Sequence, residues 1–260
     1  MEHEGRVALV TGGSSGIGRG IALALHTQGS AVVVHGRERH EAEAVAAELG
    51  DRALAVWGAI DDPDTGVKAV DAALEQFGRL DTLVTSAGIQ RYGDVVDTPL
   101  TTWNEVFAVN VTGVYLACRA ALPSIRKSPA GSIAIVSSVQ GVATQDNVAA
   151  YTASKGALNA LARSMAVDEG RYGVRVNSIL PGSVDTPMLR ASAALFGDDI
   201  EATLRLWGGS HALGRVGTPA ELGEAVSFIT SPRASFMTGG EIRVDGGLLA
   251  RLAAALPEKE

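Results

Sequence analysis

The stretch Val7-Ala8-Leu9-Val10-Thr11-Gly12-Gly13-Ser14-Ser15-Gly16-Ile17-Gly18 joins a short apolar run to an alanine-rich segment. Val7–Thr11 predicts a buried β-strand, and Gly16–Thr27 predicts the helix that follows it. Glycines at such a turn let a pyrophosphate approach the N–H groups at the positive end of the helix. The spacing Gly-x-x-x-Gly-x-Gly is one residue longer than the usual dinucleotide fingerprint, so a glycine-rich turn without a ligand remains the alternative.

The alternation of apolar runs with amphipathic segments continues along the chain. Further strands are predicted at 31–35, Ala53–Trp57, Thr82–Thr85, 132–137, 175–180 and Glu241–Val244. Further helices are predicted at 41–49, Pro63–Phe77, 101–127, 148–169 and Pro219–Thr230, with a short helix or extension at 248–260. Apolar strands separated by helices are typical of a parallel sheet covered on both faces. We therefore predict an α/β fold over 1–260, a single-domain doubly wound (Rossmann-like) parallel sheet of seven strands.

Composition narrows the classes of partner. The hydrophobic share of 46% suffices for one large core, and the net charge of −7 disfavours a nucleic-acid or anionic-membrane surface. Cys118 is the single cysteine, so no internal disulfide can form. The start of the chain has no secretory pattern, and we expect no run of membrane-spanning length. These features predict a cytoplasmic protein without a nucleic-acid, membrane or metal partner.

One predicted helix carries groups suited to proton transfer. In Ala149-Ala150-Tyr151-Thr152-Ala153-Ser154-Lys155-Gly156, Tyr151 and Lys155 are four residues apart and so share one helix face. A phenol held near an ammonium can act as an acid or a base. Ser138 follows the apolar run 133–136, and its hydroxyl could donate to a developing alkoxide.

Other residues near strand ends suggest cofactor contacts. Gly36 leaves the tip of the second strand without a carboxylate, and Arg37 could meet a 2′-phosphate, so we favour NADP(H) over NAD(H). Small residues at 85–88 let the backbone pass close to a cofactor. Asn110, inside a long helical stretch, could bend the helix and expose a carbonyl to water.

These motifs together resemble the short-chain dehydrogenase/reductase family. The matching elements are Thr11-Gly12-x-x-x-Gly16-x-Gly18, Ala87-Gly88, Asn110, Ser138, Tyr151-x-x-x-Lys155, Pro181-Gly182 with Thr186, and Val244-Asp245-Gly246-Gly247. The resemblance covers essentially the whole chain. It implies an NAD(P)-dependent enzyme that moves a hydride between nicotinamide and a carbonyl or secondary alcohol.

The resemblance also implies roles for single residues. Tyr151 would be the general acid in reduction and the base in oxidation, Ser138 would hold the substrate oxygen, and Lys155 would contact the nicotinamide ribose. Asn110 would order a water in a proton relay. The expected cofactor contacts are Gly12, Ser14, Ser15, Gly16, Ile17, Gly18, Arg37, Ile60, Ala87, Gly88, Tyr151, Lys155, Pro181, Gly182, Val184 and Thr186.

The proton chemistry sets a requirement on the phenol. Tyrosine titrates near pH ~10, so a base at neutral pH needs a lowered pKa. We expect the Lys155 ammonium and the positive nicotinamide of an oxidised cofactor to lower it together. Two departures from the family pattern affect the adenine side. Ala59-Ile60 stands where an aspartate and a small apolar residue are usual, and Thr85-Ser86-Ala87-Gly88 replaces Asn-Asn-Ala-Gly.

Substrate contacts are expected from polar residues around the serine and tyrosine. The candidates are Gln90, Ser138, Gln140, Gln145, Asn147, Tyr151 and Ser183. The segment 188–211 mixes apolar side chains with glycines and suits a mobile lid. Several amides favour a small-molecule carbonyl or alcohol substrate that is polar, such as a sugar or polyol, or a small ketone.

Three other functions fit the sequence less well than an alcohol dehydrogenase does. A 3-oxoacyl-[acyl-carrier-protein] reductase would need a basic docking surface, but the acidic chain has Ser128-Pro129-Ala130 and Tyr172 at those places, with Lys127 and Arg171 nearby. A protein that only binds the dinucleotide is disfavoured by the presence of Tyr151 and Lys155. A serine hydrolase is disfavoured because no Gly-x-Ser-x-Gly surrounds Ser138, and His35, His40 and His211 lie in unsuitable contexts.

The long alanine-rich helices have more apolar positions than one sheet face can cover. In the family that the chain resembles, such helices pack between subunits. We therefore expect a homotetramer.

Overall fold

A computed structural model describes residues 1–251 of the chain. Its seven strands form one parallel sheet in the order β3-β2-β1-β4-β5-β6-β7, as expected for a doubly wound fold. The strands are β1 Val7–Thr11, β2 Ala31–Gly36, β3 Ala53–Trp57, β4 Thr82–Thr85, β5 Ser132–Val136, β6 Arg175–Pro181 and β7 Glu241–Val244. The predicted fold class is confirmed.

Nine α-helices connect the strands within this described part. They are α1 Gly16–Thr27, α2 Arg39–Leu49, α3 Pro63–Phe77, α4 Leu100–Phe107, α5 Gly113–Ile125, α6 Ala149–Glu169, α7 Pro187–Ala193, α8 Ile200–Gly209 and α9 Pro219–Thr230. Local signals explain several of their ends. The carboxylate of Asp62 accepts from the N–H of Asp64 at the start of α3, and Gly78 ends that helix with φ 74°. Thr218 and Glu221 form a capping box at the start of α9.

Alternate residues of the strands pack into two hydrophobic cores, one on each face of the sheet. Leu9 points to the face covered by α3, α5 and α6, where it joins Leu83 and Ile133. Val10 points to the opposite face with Leu25 of α1 and Val226 of α9. Because both faces are covered, the central strands are apolar throughout, which explains why they lack an alternating pattern.

The order of strands places a cleft at one end of the sheet. The connection after β1 leads to β2 on one side, whereas β4 lies on the other side of β1. Loops after neighbouring strands therefore separate at their carboxyl ends, which is where ligands bind in folds of this kind. The glycine turn after β1 and the segments that follow β4, β5 and β6 lie at this end.

Several predicted boundaries are wrong by one or two residues. The helix predicted at 41–49 begins at Arg39, because the N–H of Ala42 donates to the carbonyl of Glu38 and closes an earlier turn. The strand predicted at 132–137 ends at Val136, because the Ser137 hydroxyl turns to the carbonyl of Lys155. The strands predicted at 31–35 and 175–180 each extend one residue further, and the helix predicted from 148 begins at Ala149.

The helix predicted at 101–127 is divided into three parts. A π-helical turn, Ala108–Thr112, separates α4 from α5 and contains Asn110. A π turn widens the helix and interrupts its regular hydrogen bonding. The predicted disturbance at Asn110 is thus present, as an inserted turn in the helix.

The helical stretch Leu100–Ile125 also corrects an expectation about membranes. Its 26 residues include an 18-residue window with mean hydropathy 1.4, so by length and composition alone it could cross a membrane. We expected no such run. Asn110 in its middle is fully buried and bonds to the loop after β4, as in a helix packed within a domain. The predicted 248–260 helix or extension has one short turn, Leu248–Ala250, and residues 252–260 lie outside the described part.

Candidate active site

A cleft of about 380 Å³ opens at the carboxyl ends of β5 and β6, between α6 and the segment that contains α7 and α8. Ser138 and Tyr151 both border it. Ser138 is close enough to act on the phenol as a hydrogen-bond partner that favours its ionised form. The sequence placed these two residues thirteen positions apart without showing that they meet.

Local backbone geometry fixes the serine. Ser138 follows β5 in an extended conformation and caps a short 3-10 turn, where its Oγ accepts from the N–H of Gln140 at 3.1 Å. The Ser138 side chain is buried apart from its cleft-facing part, with 8% of the residue exposed. A hydroxyl held in this way can donate to an oxygen on a ligand in the cleft.

Lys155 lies behind the tyrosine, one turn further along α6. Its Nζ is 5.4 Å from the centre of the Tyr151 ring and donates to the carbonyl of Val136 at 3.0 Å. Both residues are buried. The helix therefore brings the ammonium near the phenol, as the four-residue spacing predicted, but the ammonium does not bond to the phenol oxygen.

Burial shifts both groups toward their neutral forms. It raises the pKa of the Tyr151 phenol to about 12, although the bond with Ser138 favours the phenolate. It lowers the pKa of the Lys155 ammonium to about 8. Without a cofactor the pKa of Tyr151 is raised because desolvation outweighs the effect of Ser138, and Tyr92 raises it further. The expected lowering relied also on a positive nicotinamide, so it stays a prediction for the cofactor complex. A lowered value would require more positive charge in the cleft than the protein supplies.

The Asn110 side chain holds the loop after β4 through hydrogen bonds. Its Oδ1 accepts from the N–H of Ile89 at 2.8 Å, and its Nδ2 donates to the carbonyl of Ile89 at 2.9 Å. Nδ2 also donates to Ser154 Oγ at 3.1 Å, and that hydroxyl donates to the carbonyl of Tyr151. The side chain thus connects the loop to the catalytic helix. The expected role of Asn110 in ordering a water stays a prediction.

The turn after β1 fits a dinucleotide phosphate. Gly12 has φ +65°, and a Cβ there would lie 2.8 Å from the N of Ala87. A Cβ on Gly18 would lie 2.1 Å from the carbonyl oxygen of Gly12. Ser15, at the N-cap of α1, makes no side-chain cap bond, so the first N–H groups of α1 are left for a ligand. No side chain fits at Gly12 or Gly18, and the N–H groups at the start of α1 suit a pyrophosphate.

The remaining expected cofactor residues fall into three groups. Five border the cleft with Tyr151: Ile17, Pro181, Gly182, Val184 and Thr186. The second group lies in the turn after β1 and the loop after β4 and comprises Ser14, Gly16, Ala87 and Gly88. The side chains of Asn110 and Lys155 lie next to Gly88. Arg37 is exposed at the tip of β2. The Ile60 side chain is buried against Gly113, so only its main chain could face a cofactor.

The expected substrate residues Gln90, Gln140, Gln145 and Ser183 all border the cleft. Asn147 does not, and that expectation is wrong. Asn147 has φ 59°, a left-handed conformation that asparagine tolerates, and its carbonyl accepts from the N–H of Gly93. It is a turn residue that positions the start of α6.

Sequence reasoning missed part of the cleft wall. Tyr92, Val139, Leu248 and Leu249 border the cleft without having been expected there, and His211, the last residue of the expected segment 188–211, borders it too. These residues come from separate loops, so no local spacing could have indicated that they meet. Their common feature is an apolar surface facing the hydroxyl pair.

An aromatic cluster closes the outer side of the cleft. The Phe196 ring packs edge to face on Tyr92 at 5.5 Å and on Trp207 at 6.0 Å between ring centres. Tyr92 and Trp207 border the cleft, whereas Phe196 is 62% exposed. Arg190 of α7 pairs with Asp185 and Glu201, which joins α7 to the start of α8. Residues of the segment 188–211 therefore border the cleft, and its action as a lid stays a prediction.

Comparisons with known proteins agree with this geometry. A family model described as enoyl-(acyl carrier protein) reductase matches residues 12–249. The 3-alpha-(or 20-beta)-hydroxysteroid dehydrogenase of Mycobacterium tuberculosis is 40% identical over 249 residues, covering 96% of this chain and 91% of that protein. Cyclopentanol dehydrogenase of Comamonas testosteroni is 36% identical over 248 residues, covering 94% of this chain and 97% of that protein.

A solved structure has the same architecture. The ligand-free aldohexose dehydrogenase of Thermoplasma acidophilum superposes with a TM-score of 0.90 at 34% identity, covering 99% of this chain and 98% of that one. All three relatives are named as dehydrogenases of alcohols or sugars.

Proposed function

Because the chain belongs to the short-chain dehydrogenase/reductase family, we propose a substrate for an activity that its relatives share. The chain is an NAD(P)-dependent oxidoreductase that transfers a hydride between nicotinamide and a carbonyl or secondary alcohol. The proposed substrate is a small carbocyclic secondary alcohol or the matching ketone. The observation that carries it is the set of apolar side chains in the cleft that Ser138 and Tyr151 border.

The protein's part in the reaction is to hold the oxygen and move its proton. When bound, the nicotinamide supplies or accepts the hydride. In reduction, Ser138 donates a hydrogen bond to the substrate oxygen, and Tyr151 gives its phenolic proton to that oxygen. The Lys155 ammonium, 5.4 Å from the ring, stabilises the phenolate that remains. In oxidation the same groups act in reverse, with Tyr151 taking the proton.

The walls of the cleft favour a compact apolar ring. Val139 and Ala143 line the cleft shortly after Ser138 in the chain, and Met188 of α7 and Trp207 of α8 line it as well. Leu248 and Leu249 close the end. Such walls contact the carbon skeleton of an alicyclic alcohol and exclude water from the hydroxyl pair. A cyclopentanol or cyclohexanol ring offers one oxygen to the hydroxyls and only carbon to the walls.

A second candidate, a cyclic sugar, is favoured by one observation. Gln140 borders the cleft, and its Oε1 has no hydrogen-bond partner within residues 1–251. A further hydroxyl on the substrate could donate to that oxygen. Gln90 and Gln145 add amides to the same cleft. A sugar would use these amides, whereas a carbocyclic alcohol would leave them to water.

Initial rates with a small panel of substrates distinguish a carbocyclic alcohol from a cyclic sugar. Cyclopentanol, cyclohexanol and D-glucose would be compared at equal concentrations with NADP+ and NAD+, by following absorbance of the reduced nicotinamide. We expect kcat/KM for the two cyclic alcohols to exceed that for glucose at least tenfold. A higher kcat/KM for glucose would select the sugar, and no turnover of any of them would reject both.

NADP(H) is the cofactor that the tip of β2 favours. Gly36 carries no carboxylate, and a Cβ there would lie 2.7 Å from Ser14 Oγ, so the tip is close to the phosphate-binding turn. The Arg37 side chain is 84% exposed, and its nearest acid is Glu38 at 3.9 Å. A free guanidinium at this point can bind a 2′-phosphate. NAD(H) is the alternative, favoured by Glu41, whose carboxylate lies 3.4 Å from Ser14 Oγ.

The carrier-protein reductase is not supported. The relatives named above act on alcohols and sugars by their names. An acidic carrier would need unpaired basic side chains here. Arg126 already pairs with Glu169 at 2.7 Å and lies over the Tyr172 ring. Arg171 lies over the same ring.

A homotetramer remains our proposal for the assembly. Leu100 and Tyr115 on the α4–α5 stretch are 72% and 50% exposed. On another surface, Val167 of α6 is 82% exposed and Phe236 is fully exposed. Exposed apolar side chains on α4, α5 and α6 suit contacts between subunits. Light scattering should give about four times 26.7 kDa, and a monomer mass would reject the proposal.

The cytoplasm is our proposal for the location. The single cysteine, Cys118, is a buried thiol, and a chain without disulfides suits a reducing compartment. Fractionation of the producing cells should recover the activity in the cytosolic fraction.

A further inference from the structure

His211 joins the end of the lid to the loop that borders the nicotinamide side of the cleft. It lies two residues after α8 and is 2% exposed. Its Nδ1 is 3.1 Å from the carbonyl oxygen of Trp207, and its Nε2 is 3.1 Å from the N of Ser183. Trp207 and Ser183 both border the cleft. One buried imidazole therefore touches both sides of the site.

The two partners assign the proton on the ring. A carbonyl oxygen only accepts, so Nδ1 must carry the hydrogen, and a main-chain N–H only donates, so Nε2 must be unprotonated. His211 is thus neutral with both nitrogens in use. A protonated ring would direct a donor at the Ser183 N–H and break that bond.

The loop after β6 is shaped around this ring. A Cβ on Gly182 would lie 2.8 Å from His211 Nε2, so only glycine leaves room for the imidazole. The carbonyl of Ser183 accepts from the N–H of Gly217 at 2.8 Å, and the N–H of Gly182 donates to Val244. His211 supplies the remaining bond to Ser183 and so completes its main-chain pairing.

We propose that His211 is a positioning residue: by accepting from the Ser183 N–H, it holds the β6–α7 loop in place for the nicotinamide half of the cofactor. This inference rests on the oxidoreductase function stated above. The adenine half would lie beyond the turn after β1, toward the tip of β2, on the other side of the sheet's switch point. Loss of the acceptor would leave a buried N–H unpaired and shift the loop, and the phosphate-binding turn would be unaffected.

The test compares the whole cofactor with a fragment. His211→Leu removes the acceptor, whereas His211→Gln keeps an oxygen that can reach Ser183. Calorimetry would measure binding of NADPH and of 2′-phospho-ADP-ribose, which lacks the nicotinamide; NADH and ADP-ribose replace them if the wild type prefers NAD. We expect His211→Leu to bind NADPH about tenfold more weakly, or ~1.4 kcal/mol, with the fragment within twofold of wild type. His211→Gln should restore most of the loss.

A matched control uses another buried histidine that bonds to the main chain. His3 is fully buried, and its Nε2 is 2.9 Å from the carbonyl oxygen of Ser227, far from the cleft. His3→Leu should lower the thermal midpoint without changing affinity for NADPH. If His211→Leu does not fold, His211→Asn replaces it, because asparagine reaches the Trp207 carbonyl but not Ser183.

Three outcomes would overturn the proposal. NADPH affinity could be unchanged in His211→Leu, NADPH and the fragment could weaken equally, or the Gln and Leu variants could be equally impaired. Failure of the proposed function is distinguishable, since it would appear as absence of turnover by the wild type with cyclopentanol while the binding measurements remain readable.

Discussion

The ammonium of Lys155 lies 5.4 Å from the centre of the Tyr151 ring, and it donates to the carbonyl of Val136 instead of to the phenol. The cation therefore acts on the phenolate through space and leaves the hydroxyl free for the substrate. At that distance the ammonium favours a negative phenol oxygen, but burial opposes it, and the pKa of Tyr151 is raised to about 12. The resting site consequently holds a protonated acid.

This arrangement predicts opposite pH profiles for the two directions. Reduction needs protonated Tyr151 and charged Lys155, so kcat/KM for cyclopentanone should stay level and then fall above pH 8, where the lysine loses its proton. Oxidation needs the phenolate, whose pKa is about 12, so kcat/KM for cyclopentanol should rise with pH up to pH 8, above which loss of the Lys155 charge offsets the gain. Initial rates in both directions check this. Profiles that rise or fall together would contradict it.

Arg37 should determine the preference between the two cofactors. Arg37→Ala removes a charge-assisted bond to a 2′-phosphate, worth about 1.5 kcal/mol at an exposed site, so kcat/KM for NADP+ should fall about tenfold. The value for NAD+ should not change. Arg39→Ala is the matched control, since that guanidinium is already paired with Glu43 and lies over Trp57. Equal losses with both cofactors in Arg37→Ala would argue against the assignment.

Phe196 should affect substrate binding without touching the reacting atoms. Phe196→Ala removes two edge-to-face contacts, each worth about 0.5–1.5 kcal/mol, that hold Tyr92 and Trp207 over the cleft. We expect KM for cyclopentanol to rise about fivefold to tenfold, with kcat within a factor of about two. Leu195→Ala, an exposed change beside it, should leave KM unchanged. An unchanged KM in Phe196→Ala would show that the cluster does not hold the lid.

Asp81 should contribute stability far from the cleft. Its buried carboxylate accepts from the N–H of Val7 at 2.9 Å and from Arg79 at 2.7 and 2.8 Å. Asp81→Asn should lower the free energy of unfolding by about 2–3 kcal/mol, because bonds to a charged group are lost. Urea unfolding at neutral pH measures this. The exposed change Asp71→Asn should cost almost nothing.

The same carboxylate gives a pH dependence of known sign. Burial acts to raise the pKa of Asp81, but bonds from Arg79, Ser128 and Val7 outweigh it, and the folded pKa lies below 3.8. Its contribution is therefore complete above pH 3.8 and is lost as the pH falls through the folded pKa. Asp81→Asn should weaken the loss of stability in that acid range. An unchanged acid profile would contradict the assignment.

Much of the fold followed from local signals. Pro63 after Asp62, and Pro219 after Thr218, mark helix starts that tertiary contacts do not alter, and both helices have the predicted bounds. The π turn at Asn110 could not be predicted, because it depends on bonds to Ile89 across the fold. The sequence showed only that an asparagine lies within an apolar helix and could disturb it.

The site was predictable where one helix or turn carries it, and less so where loops meet. Tyr151 and Lys155 share a helix face, so their proximity followed from spacing. Tyr92 and His211 come from loops on opposite sides of the cleft, and no spacing connects them. The raised pKa of Tyr151 in the protein alone could not be predicted, because a sequence does not show the desolvation that causes it.

The central claim is that the Tyr151 hydroxyl moves the proton, and Tyr151→Phe tests it most directly. The measurement is kcat/KM for cyclopentanol oxidation and cyclopentanone reduction, together with the dissociation constant of NADPH. We predict a loss of about 10²–10⁴-fold in both directions, the usual contribution of a general acid or base, with cofactor affinity unchanged. Turnover within tenfold of wild type in either direction, by a variant that still binds NADPH, would contradict the account.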